Sequence, residues 1–189
     1  QTWCVVMKKI FFIIFIFFLC NNAFSSNKEN IIKNLENIEN IRFKFEQSIN
    51  GKTEKGECVI KYPLKINCKY YNINKKVLIS NGKSLVIKNN NGSYYLYPIE
   101  KTALNYILDK NFIISEIKKS DERIIDDKFI NYTFFKNDNE INIFFDKKNF
   151  DIIGWQTLDI YQNLNITYLT SIIKNQKIEK NLFKIPLQN

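Results

Sequence analysis

No histidine occurs among the 189 residues of the chain. Its absence removes Ser-His-Asp and Cys-His nucleophile systems, the commonest general base and most catalytic zinc sites together. Glycine and proline are scarce, at five and three, and the chain carries no Gly-rich phosphate loop, no C-x-x-C pair and no Pro/Gly/Ser-rich linker. The close carboxylate pairs, Asp121-Glu122 and Asp126-Asp127, stand in turn-like stretches. Neither an enzyme, nor a metal site, nor a cofactor is expected.

A long apolar run is also missing. Ile10 to Leu19 is the longest, too short for a membrane span of about 20 residues. It follows Met7-Lys8-Lys9 and precedes small residues at Ala23 and Ser25, the three parts of a signal peptide. Residues 1–25 are therefore expected to be a leader, with upstream residues before Met7, and 26–189 one exported domain. Cys20 invites a lipoprotein reading, but the residue before an acylated cysteine is small, and here it is Leu19.

The net charge is +9, and +7 once Lys8 and Lys9 leave with the leader. The lysines are spread along the sequence rather than gathered in a nucleic-acid-binding motif. Solvated faces and no nucleic-acid partner are expected.

What is present is alternation. From Gly56 to Tyr70 the even positions Cys58, Ile60, Tyr62, Leu64, Ile66, Cys68 and Tyr70 oppose a polar odd set, interrupted at Val59 and Pro63. Period two marks a hairpin with one buried face. Cys58 and Cys68 lie symmetrically about Pro63, so a reversal there sets them opposite each other, within disulfide range. Two buried free thiols would satisfy the same pattern; export favours the bond.

Ser26-x-x-Glu29 is a capping box opening a helix whose stripe is Ile31, Ile32, Leu35 and Ile38. At Ile41 the period becomes two. Asn81-Gly82 and Asn91-Gly92 signal hairpins joining Val77–Ser80, Lys83–Ile87 and Ser93–Tyr97. Thr102 to Leu108 suits a short helix capped by Thr102. Further strands are expected at roughly Ile113–Lys119, Arg123–Ile125, Phe129–Phe135, Ile141–Asp146, Ile152–Asp159 and Leu164–Lys174. The resulting fold class is mainly β (α+β): one antiparallel, strongly curved, incompletely closed barrel of about eleven strands, with short helices as cover.

Ile41, Phe43, Phe45, Ile60, Tyr62, Leu64, Ile66 and Tyr70 form the inner face of the first three strands. Val77, Ile79, Leu85, Ile87, Tyr95 and Tyr97 continue it. Periodicity does not separate a packed core from an apolar cavity.

The order of these features resembles the LolA family of periplasmic lipoprotein carriers. The resemblance lies in Phe45-Glu46-Gln47, Gly56 seven residues before Pro63, Leu78-Ile79-Ser80-Asn81-Gly82-Lys83-x-Leu85, the Thr102–Leu108 helix and Phe183-x-x-Pro186. It implies a monomeric periplasmic half-barrel whose apolar inner positions hold acyl chains of lipoproteins. It also implies a lid that includes Ile31, Leu35, Ile38, Leu104, Ile107 and Leu108. The implied partners are acylated lipoproteins, an inner-membrane lipoprotein-release ABC transporter and an outer-membrane acceptor lipoprotein. An envelope regulatory or structural module is the alternative for such a half-barrel. The family's latch arginine before the hairpin proline is replaced here by Tyr62.

Overall fold

A computed structural model describes residues 26–137, 139–158 and 162–188; the expected leader lies outside them. Helix α1 (Asn27–Glu36) begins where the sequence signals it. The Ser26 hydroxyl accepts from the Glu29 N–H, and the Glu29 carboxylate accepts from the Ser26 N–H. Three strands follow, β1 (Asn40–Ile49), β2 (Lys52–Lys61) and β3 (Lys65–Tyr70), then β4 (Val77–Asn81), β5 (Ser84–Lys88) and β6 (Tyr94–Pro98). A 3-10 turn (Ile99–Lys101), α2 (Leu104–Ile107) and α3 (Lys110–Lys119) separate these from the second half of the sheet. That half comprises β7 (Arg123–Ile125), β8 (Phe129–Lys136), β9 (Asn139–Asp146), β10 (Ile152–Leu158) and β11 (Leu164–Lys174).

The strands form one antiparallel sheet in the order β6-β5-β4-β3-β2-β1-β11-β10-β9-β8-β7. This corrects the expectation of a strongly curved, incompletely closed barrel. The sheet is open, neither closed nor strongly curled, with β6 and β7 at its two edges. Alternation along each strand is the same in an open and a closed sheet. Here the segment linking the edges carries helices onto the apolar face, so burial does not require the edges to meet.

A second correction concerns 113–119, expected as a strand. It belongs to α3, where the Asp109 carboxylate caps the helix by accepting from the N–H groups of Asn111 and Phe112. Ile113, Ile114 and Ile117 are β-branched, but their three- and four-residue spacing gives one buried stripe. Thr102 does not cap α2: its hydroxyl donates to Ile99 O, and Ala103 holds the cap position.

The hairpin register agrees with the sequence. Cys58 stands opposite Cys68, and the two form a disulfide with Cα atoms 4.1 Å apart. Closing a loop this short restricts the unfolded chain by about 3 kcal/mol in the loop-entropy account. The core fills the space between one sheet face and the helices, with α1 and α3 packed on each other.

The opposite sheet face has a cover of its own. Val59, Asn67, Ile79 and Val86 stand in one cross-strand row. The C-terminal segment crosses that row: Leu182 O accepts from Asn67 Nδ2 (2.6 Å) and Pro186 O from the Tyr94 hydroxyl (3.1 Å). Val59, Ile79 and Val86 are buried as a result. The interruption at Val59 thus reflects a second apolar contact on the far side of the sheet.

Candidate functional site

Residues directly opposite on neighbouring strands share a sheet face. One inner row runs Ile41–Ile60–Ile66–Ser80–Leu85–Tyr97, and the next runs Phe43–Cys58–Cys68–Leu78–Ile87–Tyr95. Phe45, Gly56 and Tyr70 form the third. Of the fourteen inner positions expected from sequence, Ile41, Phe43, Phe45, Ile60, Ile66, Tyr70 and Leu85 are buried in the main core. Tyr62, Leu64 and Tyr97 pack against it part-buried. Ile87 is half-buried, and Tyr95, on edge strand β6, is 51% exposed.

Val77 and Ile79 require correction. Val77 pairs with Lys69 and Lys88, and Ile79 with Asn67 and Val86, so both lie on the face away from the helices. The run Val77-Leu78-Ile79 is apolar at both parities and gives no phase. Leu78 is the inward residue, with Ser80 beyond it.

The expected lid residues come together. Ile31, Leu35, Ile38, Ile107 and Leu108 are buried in the core, and Leu104 packs on it. Missed by sequence reasoning were Ile113, Ile114 and Ile117 on α3, together with inner residues Tyr132, Phe134, Trp155 and Leu169 from the second half of the sheet. The strand alternation Ile130, Tyr132, Phe134 carried that second signal. The rings of Phe43 and Trp155 meet edge-on at 6.2 Å, joining the two halves under the helices.

A few hydrogen bonds tie the helical cover to the sheet. At the hairpin tip the Leu64 N–H donates to Leu108 O (2.9 Å), while Leu64 O accepts from the Ser80 hydroxyl (2.7 Å). Leu64 has φ +62°, a region costing a non-glycine residue about 1–2 kcal/mol, and these two bonds hold it there. Across the sheet, Asn137 Nδ2 donates to the Tyr106 hydroxyl oxygen (2.9 Å). Lys110 Nζ donates to Ile38 O (2.7 Å) and Glu36 O (3.1 Å), joining α3 to the end of α1. Tyr62, beside the hairpin proline, is part-buried, and its N–H donates to Glu39 O.

Beside the hairpin tip lies a groove of about 460 Å³, lined in part by Leu64, Ser84, Leu96, Ile99 and Asn105. The far end of the inner face is polar. There the Tyr70 hydroxyl donates to Gln47 Oε1 (3.1 Å), Gln47 Nε2 donates to Thr167 Oγ1 (3.2 Å), and Lys76 sits 3.8 Å over the Tyr70 ring while paired with Glu54. The arrangement is a long apolar face, capped by short helices and bounded by one polar end. Among the described residues no group of three His, Cys, Asp or Glu could hold a metal ion.

Burial pushes the hydroxyls of Tyr62 and Tyr70 well above the ordinary value of 10.0, with the Glu54 charge adding at Tyr70. Tyr132 is raised by burial and then by Glu122, whose carboxylate accepts its hydrogen bond. Each neutral phenol is favoured by the fold. Its contribution is complete below the unfolded value near 10 and is lost as pH rises through the higher folded value. An alkaline titration of phenolate absorbance is expected to show a late step coincident with unfolding. A single step near pH 10, with circular dichroism unchanged, would contradict the burial of these hydroxyls.

Among solved structures, a LolA superfamily protein from Nitrosomonas europaea is similar, with a TM-score of 0.45 and 7% identity over 85% of this chain and 99% of that one. A putative outer membrane lipoprotein-sorting protein domain from Vibrio parahaemolyticus gives 0.45 and 6%, over 82% and 94%. MucB gives 0.47 and 9%, over 89% of this chain and 65% of that one. No curated protein matches the chain. The family described as outer membrane lipoprotein carrier protein LolA matches residues 36–186, from the end of α1 to the C-terminal segment. With that match covering the whole sheet and most of the helical cover, the chain belongs to the LolA family of non-catalytic periplasmic carrier proteins.

Proposed function

We propose that this protein carries lipoproteins across the periplasm by holding their acyl chains between the inner sheet face and the helices α1, α2 and α3. On this reading it takes cargo from an inner-membrane lipoprotein-release ABC transporter and delivers it to an acceptor lipoprotein in the outer membrane. The observation that supports it most is the composition of the interface. Ile31, Leu35, Ile107, Leu108, Ile113 and Ile117 rest against Phe43, Ile60, Ile66 and Trp155 within one buried cluster.

Such a surface serves helices and acyl chains alike, because burial of apolar area is non-directional. A fully buried chain gains about 0.8 kcal/mol per CH₂, enough to make release from an open groove slow. Helices that occupy the same face in the empty protein compete with cargo and lower its net affinity. The residues assigned to the acyl chains are the inner-row set without Val77 and Ile79. The lid is 27–38 with 101–119, and the hydrogen bond between Leu64 and Leu108 takes the place of a side-chain latch.

Protein purified from a periplasm is expected to bring triacylated polypeptides with it. Amide exchange at 104–108 and at Leu64 should be faster in the loaded than in the empty protein. Unchanged exchange on loading would sink the lid assignment. Empty protein that also fails to release lipoproteins from spheroplasts would sink the carrier reading.

A further inference from the structure

The lysines that are dispersed in sequence are gathered in space. On the sheet face away from α1–α3, β1 presents Arg42 and Lys44, β2 Lys61, β3 Lys65 and Lys69, and β5 Lys88. Glu57 is the one carboxylate within this group, placed between Lys44 and Lys69. Glu46, beyond it, is paired with Lys55 at 2.7 Å. The same face under β8, β9 and β10 carries Glu140, Asn142, Asp146 and Gln156, with Arg123 on β7 beyond them, so the cationic character is concentrated in the β1–β5 half.

Three details separate this from an ordinary solvated face. Lys61 and Lys65 stand directly opposite each other at the hairpin tip, a like-charge pairing that costs stability unless an anion sits over it. The C-terminal segment, which crosses this face, adds Lys177, Lys180 and Lys184, all exposed, against Glu179. Large apolar side chains are exposed on the same face: Tyr168 (58%) opposite Glu46, Ile173 (49%) opposite Arg42 and Leu96 (58%) opposite Val86.

We infer that this face docks the protein onto an anionic phospholipid surface. Monodentate lysines spread over a sheet face suit a layer of mobile phosphate headgroups, and interspersed Tyr, Ile and Leu suit the depth at which headgroups meet acyl chains. A specific acidic protein would call for forked, fixed contacts, and this face holds one arginine among its lysines. The docking leaves the helices on the opposite face pointing away from the bilayer, free to move. It rests on the distribution of charge and does not depend on the acyl-chain reading.

The test is co-sedimentation of the full exported chain with cargo-free vesicles of phosphatidylcholine, with and without phosphatidylglycerol. Binding is expected only with phosphatidylglycerol and is lost in high salt. Joint substitution Arg42→Gln, Lys44→Gln, Lys61→Gln and Lys69→Gln, all at exposed positions, should lower partitioning by roughly a thousandfold. Arg123→Gln with Lys128→Gln, at the opposite end of the sheet, should leave it unchanged. Equal retention by pure phosphatidylcholine, or full binding by the fourfold variant with its disulfide and circular dichroism intact, would overturn the inference. So would capture by immobilised polyglutamate without any vesicle binding, which would point to an acidic protein instead.

Discussion

Replacing Gly56 with alanine is expected to destabilise the fold by about 3 kcal/mol, most of what a domain of this size has to spare. The reason is space. A Cβ at Gly56 would stand 2.2 Å from Lys69 O, 2.6 Å from Phe45 Cε1 and 2.8 Å from Phe45 Cζ. Phe45 is buried and meets the Tyr70 ring edge-on at 4.9 Å, so it has no room to turn aside. The Lys69 carbonyl belongs to the backbone of the strand paired with β2, so relief requires the strands to separate. Two residues further on the same strands carry the Cys58–Cys68 bond, which resists that separation. Gly82→Ala is the comparison. Gly82 has φ +98° but nothing nearer than 3.9 Å, so its cost is the left-handed backbone alone, about 1–2 kcal/mol. Denaturant midpoints of the two variants decide the matter. Equal losses would show that backbone conformation, rather than the crowding over Gly56, sets the cost.

The same hairpin shows how much of the fold could be read from residues alone. Its register followed from parity about Pro63, because a one-residue slip would turn every apolar side chain to the wrong face. The capping box at Ser26 and the turn at Asn81-Gly82 were legible for a similar reason: each depends on local chemistry. Three things were not. Openness of the sheet depends on how its edges are covered, and strand alternation carries no trace of that. The phase of β4 was hidden because the C-terminal segment makes Val59, Ile79 and Val86 apolar on the far side. Helix α3 was hidden by its isoleucines, whose β-branching argued for a strand although Asp109 offered a cap and Ile113, Ile114 and Ile117 a helical stripe. The candidate site divides accordingly: the wall of the first three strands and the cover from α1 and α2 were legible, while the cover from α3 was not.

Leu108→Ala separates a lid from a structural helix by the sign of two effects. Leu108 is fully buried in the core and its carbonyl accepts the Leu64 N–H, so truncation removes packing and keeps the backbone bond. The empty protein is expected to lose about 2–4 kcal/mol. If the helices compete with acyl chains for the inner face, the loss falls on the closed state, and apparent affinity for a diacylglyceryl-cysteine peptide should rise, up to about 30-fold for each 2 kcal/mol. Phe43→Ala is the opposite case. Phe43 belongs to the wall, edge-on to Trp155 at 6.2 Å, and faces whichever partner occupies the groove. Its truncation should cost about 3–5 kcal/mol of stability and weaken peptide binding as well. The pair of variants is to be measured by chemical denaturation and by titration with a fluorescent diacyl peptide. Weakened binding in both would mean that α2 and α3 are part of the wall. Stability and affinity moving in opposite directions for Leu108, and together for Phe43, is the behaviour of a cover that must leave before cargo can be held.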